Sequence, residues 1–279
     1  MKKPLRFFVL AGALALTVSP VLAQEHEAPA PPRLKWSFAG PFGKYDEAQL
    51  QRGFKIYKEV CSNCHSLNLL SFRNLADPGG PGFSIAQAEA LASDYKIKDG
   101  PNDQGEMFER PGRLADRFPA PFANEQAARA ANGGALPPDM SVLAKARTYE
   151  RGFPLFIFDI FTQYQEQGPD YIAAVLKGYA EKPKDMVMPD GMNFNTFFPG
   201  HAIGMPAPLQ DGQVTFDDGS PTNLEQYSKD VAAFLMWASE PHLTARKRLG
   251  FQVMIFLLVL SGLLYFTKKK VWSAVKGHV

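Results

Sequence analysis

A mainly α-helical fold with long Gly- and Pro-rich loops and one C-terminal transmembrane helix is predicted by three observations in this 279-residue sequence. Apolar residues recur at helical spacing near both ends of the body: Leu50, Phe54, Tyr57, Cys61 and Cys64, then Tyr227, Val231, Phe234, Leu235 and Ala238. Between these faces, Asp77–Gly82, Asp99–Pro121 and Met188–Pro208 hold Gly and Pro too densely for long helices or central strands. Leu249–Phe266 is apolar except for Gly250, Gln252, Ser261 and Gly262, and as a helix it spans about 27 Å, close to the hydrocarbon thickness of a bilayer.

Residues 1–23 carry Lys2, Lys3 and Arg6, then the apolar run Phe7–Leu16, then Val21-Leu22-Ala23. That order predicts a secretory signal peptide cut after Ala23; the apolar run is short for an uncleaved anchor. Gln24–Pro32 is a Pro/Ala-rich linker, and folding is expected to begin near Trp36 and Phe38. Asp46 is placed to cap a helix running into Cys61-Ser62-Asn63-Cys64-His65, where Gly53 suits a close crossing by another helix.

This C-x-x-C-H stretch is a covalent haem-attachment pattern. Two cysteines three apart on a helix share a face, so both sulfurs can reach the vinyl groups of one porphyrin, while His65 offers an imidazole to the iron. A redox dithiol would call for a βαβ context, and a zinc site for further cysteines or a close histidine pair. Neither accompanies the motif, which holds both cysteines of the chain. One covalently bound haem c is therefore expected. The absence of spare thiols also suits an oxidising compartment.

Beyond the motif, helices are expected over Ser84 to about Tyr95, Glu125–Asn132, Met140–Arg147 and Tyr171–Tyr179. Pro154–Phe161 is an apolar run too short to cross a bilayer, expected as core or as a surface docked on membrane or partner. Thr222 with Glu225 suggests a capping box for a helix stopped by Pro241. Arg246, Lys247 and Arg248 precede the apolar span and Lys268, Lys269 and Lys270 follow it. Such flanks are awkward inside a globule, so 246–270 is expected to be a membrane anchor with basic flanks. Residues 24–245 then form an exported body, and 271–279 a short cytoplasmic tail. That body has 20 basic residues against all 28 acidic ones, a net charge of −8, which favours encounter with a basic partner. No nucleic-acid partner is expected.

The second axial position of a His65-bound iron decides its chemistry, since methionine there makes an electron carrier of raised potential. Met107, Met140, Met186, Met188, Met192 and Met205 all lie in loops or short helices. Met205 has the best setting, with Gly204 allowing close backbone approach and Pro206 stiffening the far side. His201 is the rival, whereas Met236 and Met254 are explained by packing.

Several stretches together resemble the cytochrome c1 family. They include Arg52-Gly53-Phe54 before the motif, Asp99-Gly-Pro-Asn102, Gly105-Glu-Met-Phe108, Arg110-Pro-Gly112 and Ala127-Ala-Arg-Ala-Ala-Asn132. Gly134-Ala-Leu-Pro-Pro-Asp139, Phe198-Pro-Gly200, Ile203-Gly-Met205, Phe216-Asp-Asp-Gly219 and Trp237-Ala-Ser-Glu-Pro241 continue the match. The resemblance implies a cytochrome c-type haem domain, with thioethers at Cys61 and Cys64, His65 and Met205 as iron ligands, and Arg147 beside a haem propionate. It also implies an electron-transfer subunit of a quinol–cytochrome c reductase (bc1) complex. In that setting electrons arrive from a Rieske iron–sulfur protein and leave to a basic cytochrome c. Cytochrome b and the lipid bilayer are the further partners, the complex is dimeric, and the haem body faces the periplasm from a bacterial inner membrane. Two features depart from the family pattern: Gly204-Met205-Pro206-Ala207-Pro208 replaces Gly-Met-Ala-Pro-Pro, and Pro154–Gln167 is extra relative to mitochondrial members.

Overall fold

A computed structural model describes residues 28–147, 149, 153–162 and 166–273; the expected signal peptide and residues 274–279 of the tail lie outside them. Asp46 caps the first helix, α1 (Glu47–Glu59), accepting a hydrogen bond from the Gln49 amide at 2.8 Å. α7 (Leu224–Ser239) crosses it, burying Tyr227, Val231, Phe234, Leu235 and Ala238 as the spacing requires. Gly53 sits at this crossing. A Cβ there would lie 2.2 Å from the Asp230 carbonyl oxygen and 2.6 Å from the Phe234 Cβ, so only glycine permits the approach. Phe54 and Tyr57 of α1 meet the Phe234 ring at 5.7 and 5.8 Å, and Phe118 joins them against Phe72 at 4.3 Å.

The crossing also encloses a polar cluster. Asp230 is fully buried and accepts from Arg52 Nε at 2.7 Å, Gln49 Nε2 at 3.1 Å and Gln226 Nε2 at 2.8 Å. A second carboxylate, Asp218, takes Arg52 Nη1 at 2.7 Å. These bonds satisfy a charge that burial would otherwise penalise heavily.

Smaller elements wrap this core. α2 (Ile85–Ser93) carries a capping box between Ser84 and Gln87, and α3 (Glu125–Ala131) is capped by Asn124. α4 (Leu143–Ala146) is shorter than the sequence suggests, because Met140–Val142 form a turn held by Asp139. α6 (Gln167–Lys177) begins four residues before Tyr171 and packs on α7. Two antiparallel pairs escaped sequence reading: β1 (Lys96–Asp99) with β2 (Phe108–Pro111), and β3 (Asn193–Phe194) with β4 (Ala202–Ile203). Strands this short carry no readable alternation. The cap of α7 is Asn223, whose side chain accepts from the Gln226 amide at 2.9 Å, rather than Thr222.

α5 (Leu155–Thr162) separates the two expectations for its apolar run. Phe153 before it, and Leu155 and Phe158 within it, are exposed, so at these positions it is not core. α8 (Leu243–Val271) runs 29 residues, with a mean hydropathy of 2.2 over its most apolar window and none of that window buried. Its length and composition suit a membrane crossing.

At the base of the β1–β2 pair, Arg110 joins Asp99 and Asp116, reaching Asp116 at 2.6 and 2.9 Å. Its guanidinium holds the Asp116 carboxyl down at about 2, with the Arg113 amide assisting. A depressed carboxyl stabilises the fold above its unfolded value near 4 and loses that contribution as pH falls toward about 2. Asp116→Asn is therefore expected to flatten the acid limb of a thermal-melt series between about pH 4 and pH 2. An unchanged limb would show that the pair contributes nothing to acid stability.

Candidate haem site

The site begins where α1 stops. The helix ends at Glu59, and Cys61–Asn63 form a 3₁₀ turn instead of continuing it. Cys61 opens this turn and Cys64 follows directly after it. The Cys64 and His65 amides both donate to the Cys61 carbonyl, at 3.1 and 2.9 Å. Cys61 is buried and Cys64 exposed, and burial pushes the Cys61 thiol up to about 12. A redox dithiol lowers the pKa of its attacking thiol, the opposite of this direction.

His65 is buried, with its Nδ1 at 2.8 Å from the Pro138 carbonyl oxygen. A carbonyl only accepts, so Nδ1 carries the proton and the Nε2 lone pair remains available. Burial lowers the pKa of the ring, outweighing the Pro138 hydrogen bond and the nearby Asp139 charge. The neutral imidazole a metal requires is thus favoured. Tyr57 donates to the His65 carbonyl at 3.3 Å.

Asp139 locks the strand of chain that carries Pro138. Its carboxylate accepts from Ser66 Oγ at 2.8 Å, the Asn68 amide at 2.9 Å and the Ser141 amide at 2.8 Å. Burial opposes its ionisation, but these bonds prevail and keep its carboxyl below the usual range.

The same strand reaches the loop of Met205. A Cβ on Gly204 would lie 3.1 Å from the Ala135 Cβ, so Ala135 abuts this loop while Pro138 holds His65. The Met205 carbonyl accepts from Tyr179 Oη at 3.1 Å and Asn193 Nδ2 at 3.3 Å, and its side chain is half-buried. His201 sits at a positive φ of 59°, with Nδ1 at 3.1 Å from the Asn195 carbonyl and its ring stacked on Phe194. Among the other methionines, Met140 is buried beside Ser66, Met107 is exposed, and Met192 lies close to Gly204. Arg147 is exposed at the C-cap of α4, near enough to Tyr171 to lower that phenol's pKa against the larger effect of burial.

A family model, the Cytochrome C1 family, matches residues 36–275. The chain belongs to the cytochrome c1 family. It is 65% identical over 266 residues to a cytochrome b/c1 of Bradyrhizobium diazoefficiens, covering 95% of this chain but only 39% of that longer protein. It is 50% identical to a cytochrome c1 of Blastochloris viridis, over 98% of this chain and 97% of the relative. To a cytochrome c1 of Rhodospirillum rubrum it is 46% identical, over 86% and 87% of the two chains.

For a cytochrome c1 family member the donor set is chemically apt: paired sulfurs, an imidazole with one nitrogen already tied, and a thioether on a braced loop. Tyr179, Asn193, Pro138 and Asp139 escaped sequence reading as supports of the site.

Proposed function

We propose that this chain, a haem-bearing electron-transfer subunit by its family, takes single electrons from a Rieske iron–sulfur protein and passes them to a basic cytochrome c. The setting is a quinol–cytochrome c reductase complex with cytochrome b. The observation that carries the reading is the His65 Nδ1 hydrogen bond to Pro138, which fixes the tautomer an axial ligand needs. Haem c, held by Cys61, Cys64, His65 and Met205, would supply the one-electron couple. The chain's own residues orient the donors: Asp139 braces Pro138, and Tyr179 with Asn193 brace Met205. Arg147 would meet a propionate. α8 would hold the body, 24–245, on the periplasmic side of a bacterial inner membrane, after removal of 1–23.

The direct test is a visible spectrum of the reduced, purified protein with and without carbon monoxide, paired with acid–acetone extraction. Haem retained by the polypeptide and bands unmoved by the gas are expected. Extractable haem would overturn covalent attachment, and a rapid band shift would overturn ligation on both faces. The acidic body gives a second expectation: oxidation by a basic cytochrome c slows as ionic strength rises from about 0.01 to 0.15 M, where the Debye length falls from about 30 to 8 Å. A salt-independent rate would leave the −8 charge as a matter of solubility.

A further inference from the structure

α5 is an eight-residue helix reading LFIFDIFT, and it places large apolar side chains in solvent. Phe153 is 81% exposed, Phe158 57% and Leu155 48%. Leu155 and Phe158 are three apart and so share a face. Exposed clusters of this kind mark interaction surfaces more often than they mark ordinary soluble surface.

What covers the cluster follows from its neighbours. Asp159 of α5 pairs with Arg33 at 3.7 Å, and the Leu34 amide and Trp36 Nε1 donate to Asp170 at 3.0 and 2.8 Å. The chain from Arg33 then reaches the foot of α8. There Lys247 Nζ donates to the Phe38 and Gly40 carbonyls at 2.6 Å each, and Phe42, 68% exposed, packs edge-on to Phe251 at 5.1 Å. Glu166, just beyond α5, lies close enough for its charge to act on Lys247. Lys247 is one residue past Arg246 and two before Leu249, where the apolar span begins. Arg33 and Glu166 thus tie α5 to the segment from which α8 would enter a bilayer, and Phe42 with Phe251 is a second exposed apolar pair at that segment.

We propose that α5 is an interfacial helix that lays Phe153, Leu155 and Phe158 into the lipid surface beside α8, giving the anchored body a second membrane contact. The inference rests on the reading of α8 as a membrane anchor. Short helices with aromatic and leucine residues on one face settle at the headgroup boundary, where aromatic rings are favoured.

The test uses the full-length haem-loaded protein in phosphatidylcholine/phosphatidylglycerol vesicles. A nitroxide is placed through Phe158→Cys, and in separate samples through Gln104→Cys as an aqueous reference and Leu257→Cys as a bilayer reference, with unsubstituted protein as the labelling blank. Power-saturation EPR then compares accessibility to oxygen and to a water-soluble nickel chelate. The proposal expects an oxygen-to-nickel ratio at position 158 several-fold above that at 104 and approaching that at 257. A ratio equal to that at 104 overturns it. Low accessibility to both reagents, the sign of burial against protein, also overturns it. Failure of the anchor reading is separate, since it would give a water-like ratio at 257 itself.

Discussion

Met205→Leu is expected to lower the reduction potential by on the order of hundreds of millivolts, within the roughly 0.8 V that axial ligands span, and to make the reduced protein bind carbon monoxide. Leucine matches methionine in volume, so packing changes little, but it has no lone pair to offer. Redox titration followed in the visible spectrum measures both effects. The Tyr179 and Asn193 hydrogen bonds refine the expectation, because they hold the Met205 backbone rather than its sulfur. Tyr179→Phe removes one of two donors, a loss of about 1 kcal/mol in positioning. It should shift the potential in the same direction by a much smaller amount, with the protein still inert to carbon monoxide. A Met205→Leu protein with native potential would move the ligand elsewhere. Met192, whose sulfur lies 3.7 Å from the place a Cβ on Gly204 would occupy, is then the first candidate.

Asp230→Ala is expected to cost about 3–5 kcal/mol of stability, the range for breaking a buried pair and stranding its partner. The carboxylate is fully buried at the α1–α7 crossing, and its loss leaves Arg52 and the amides of Gln49 and Gln226 without their common acceptor. Asp218 keeps hold of one end of Arg52 but is itself exposed, so it compensates little. Chemical denaturation of the haem-loaded protein measures the change. A double variant, Arg52→Met with Asp230→Leu, should recover much of the loss, because a neutral pair strands no charge. If Asp230→Ala melts like the parent, the cluster does not help hold the two helices together.

The two patterned helices were legible because each carries its information within itself. Side chains repeating every three or four residues declare a buried face, and α1 and α7 bury the faces so marked, except that α1 ends before Cys61 and Cys64 is exposed. Gly53 fitted a close helix crossing, and the crossing is there. The apolar length of α8 was equally local. Where the reading slipped, competing local chemistry was at work: Asn223 caps α7 in place of Thr222, and a 3₁₀ turn replaces the last helical turn at Cys61. The short strand pairs and the exposure of α5 left no periodic trace.

The order of residues alone specifies which atoms this protein can offer: two thiols and an imidazole in one motif, a stiff-flanked methionine, and an apolar span. Which of those atoms are oriented, and by what, depends on contacts between distant parts of the chain. Pro138 meets His65 across 73 residues, Asp170 meets Trp36 across 134, and Asp230 meets Arg52 across 178. Such partners lie on stretches whose pairing is fixed by how the core packs, and a buried donor donates to whichever acceptor that packing brings within about 3 Å.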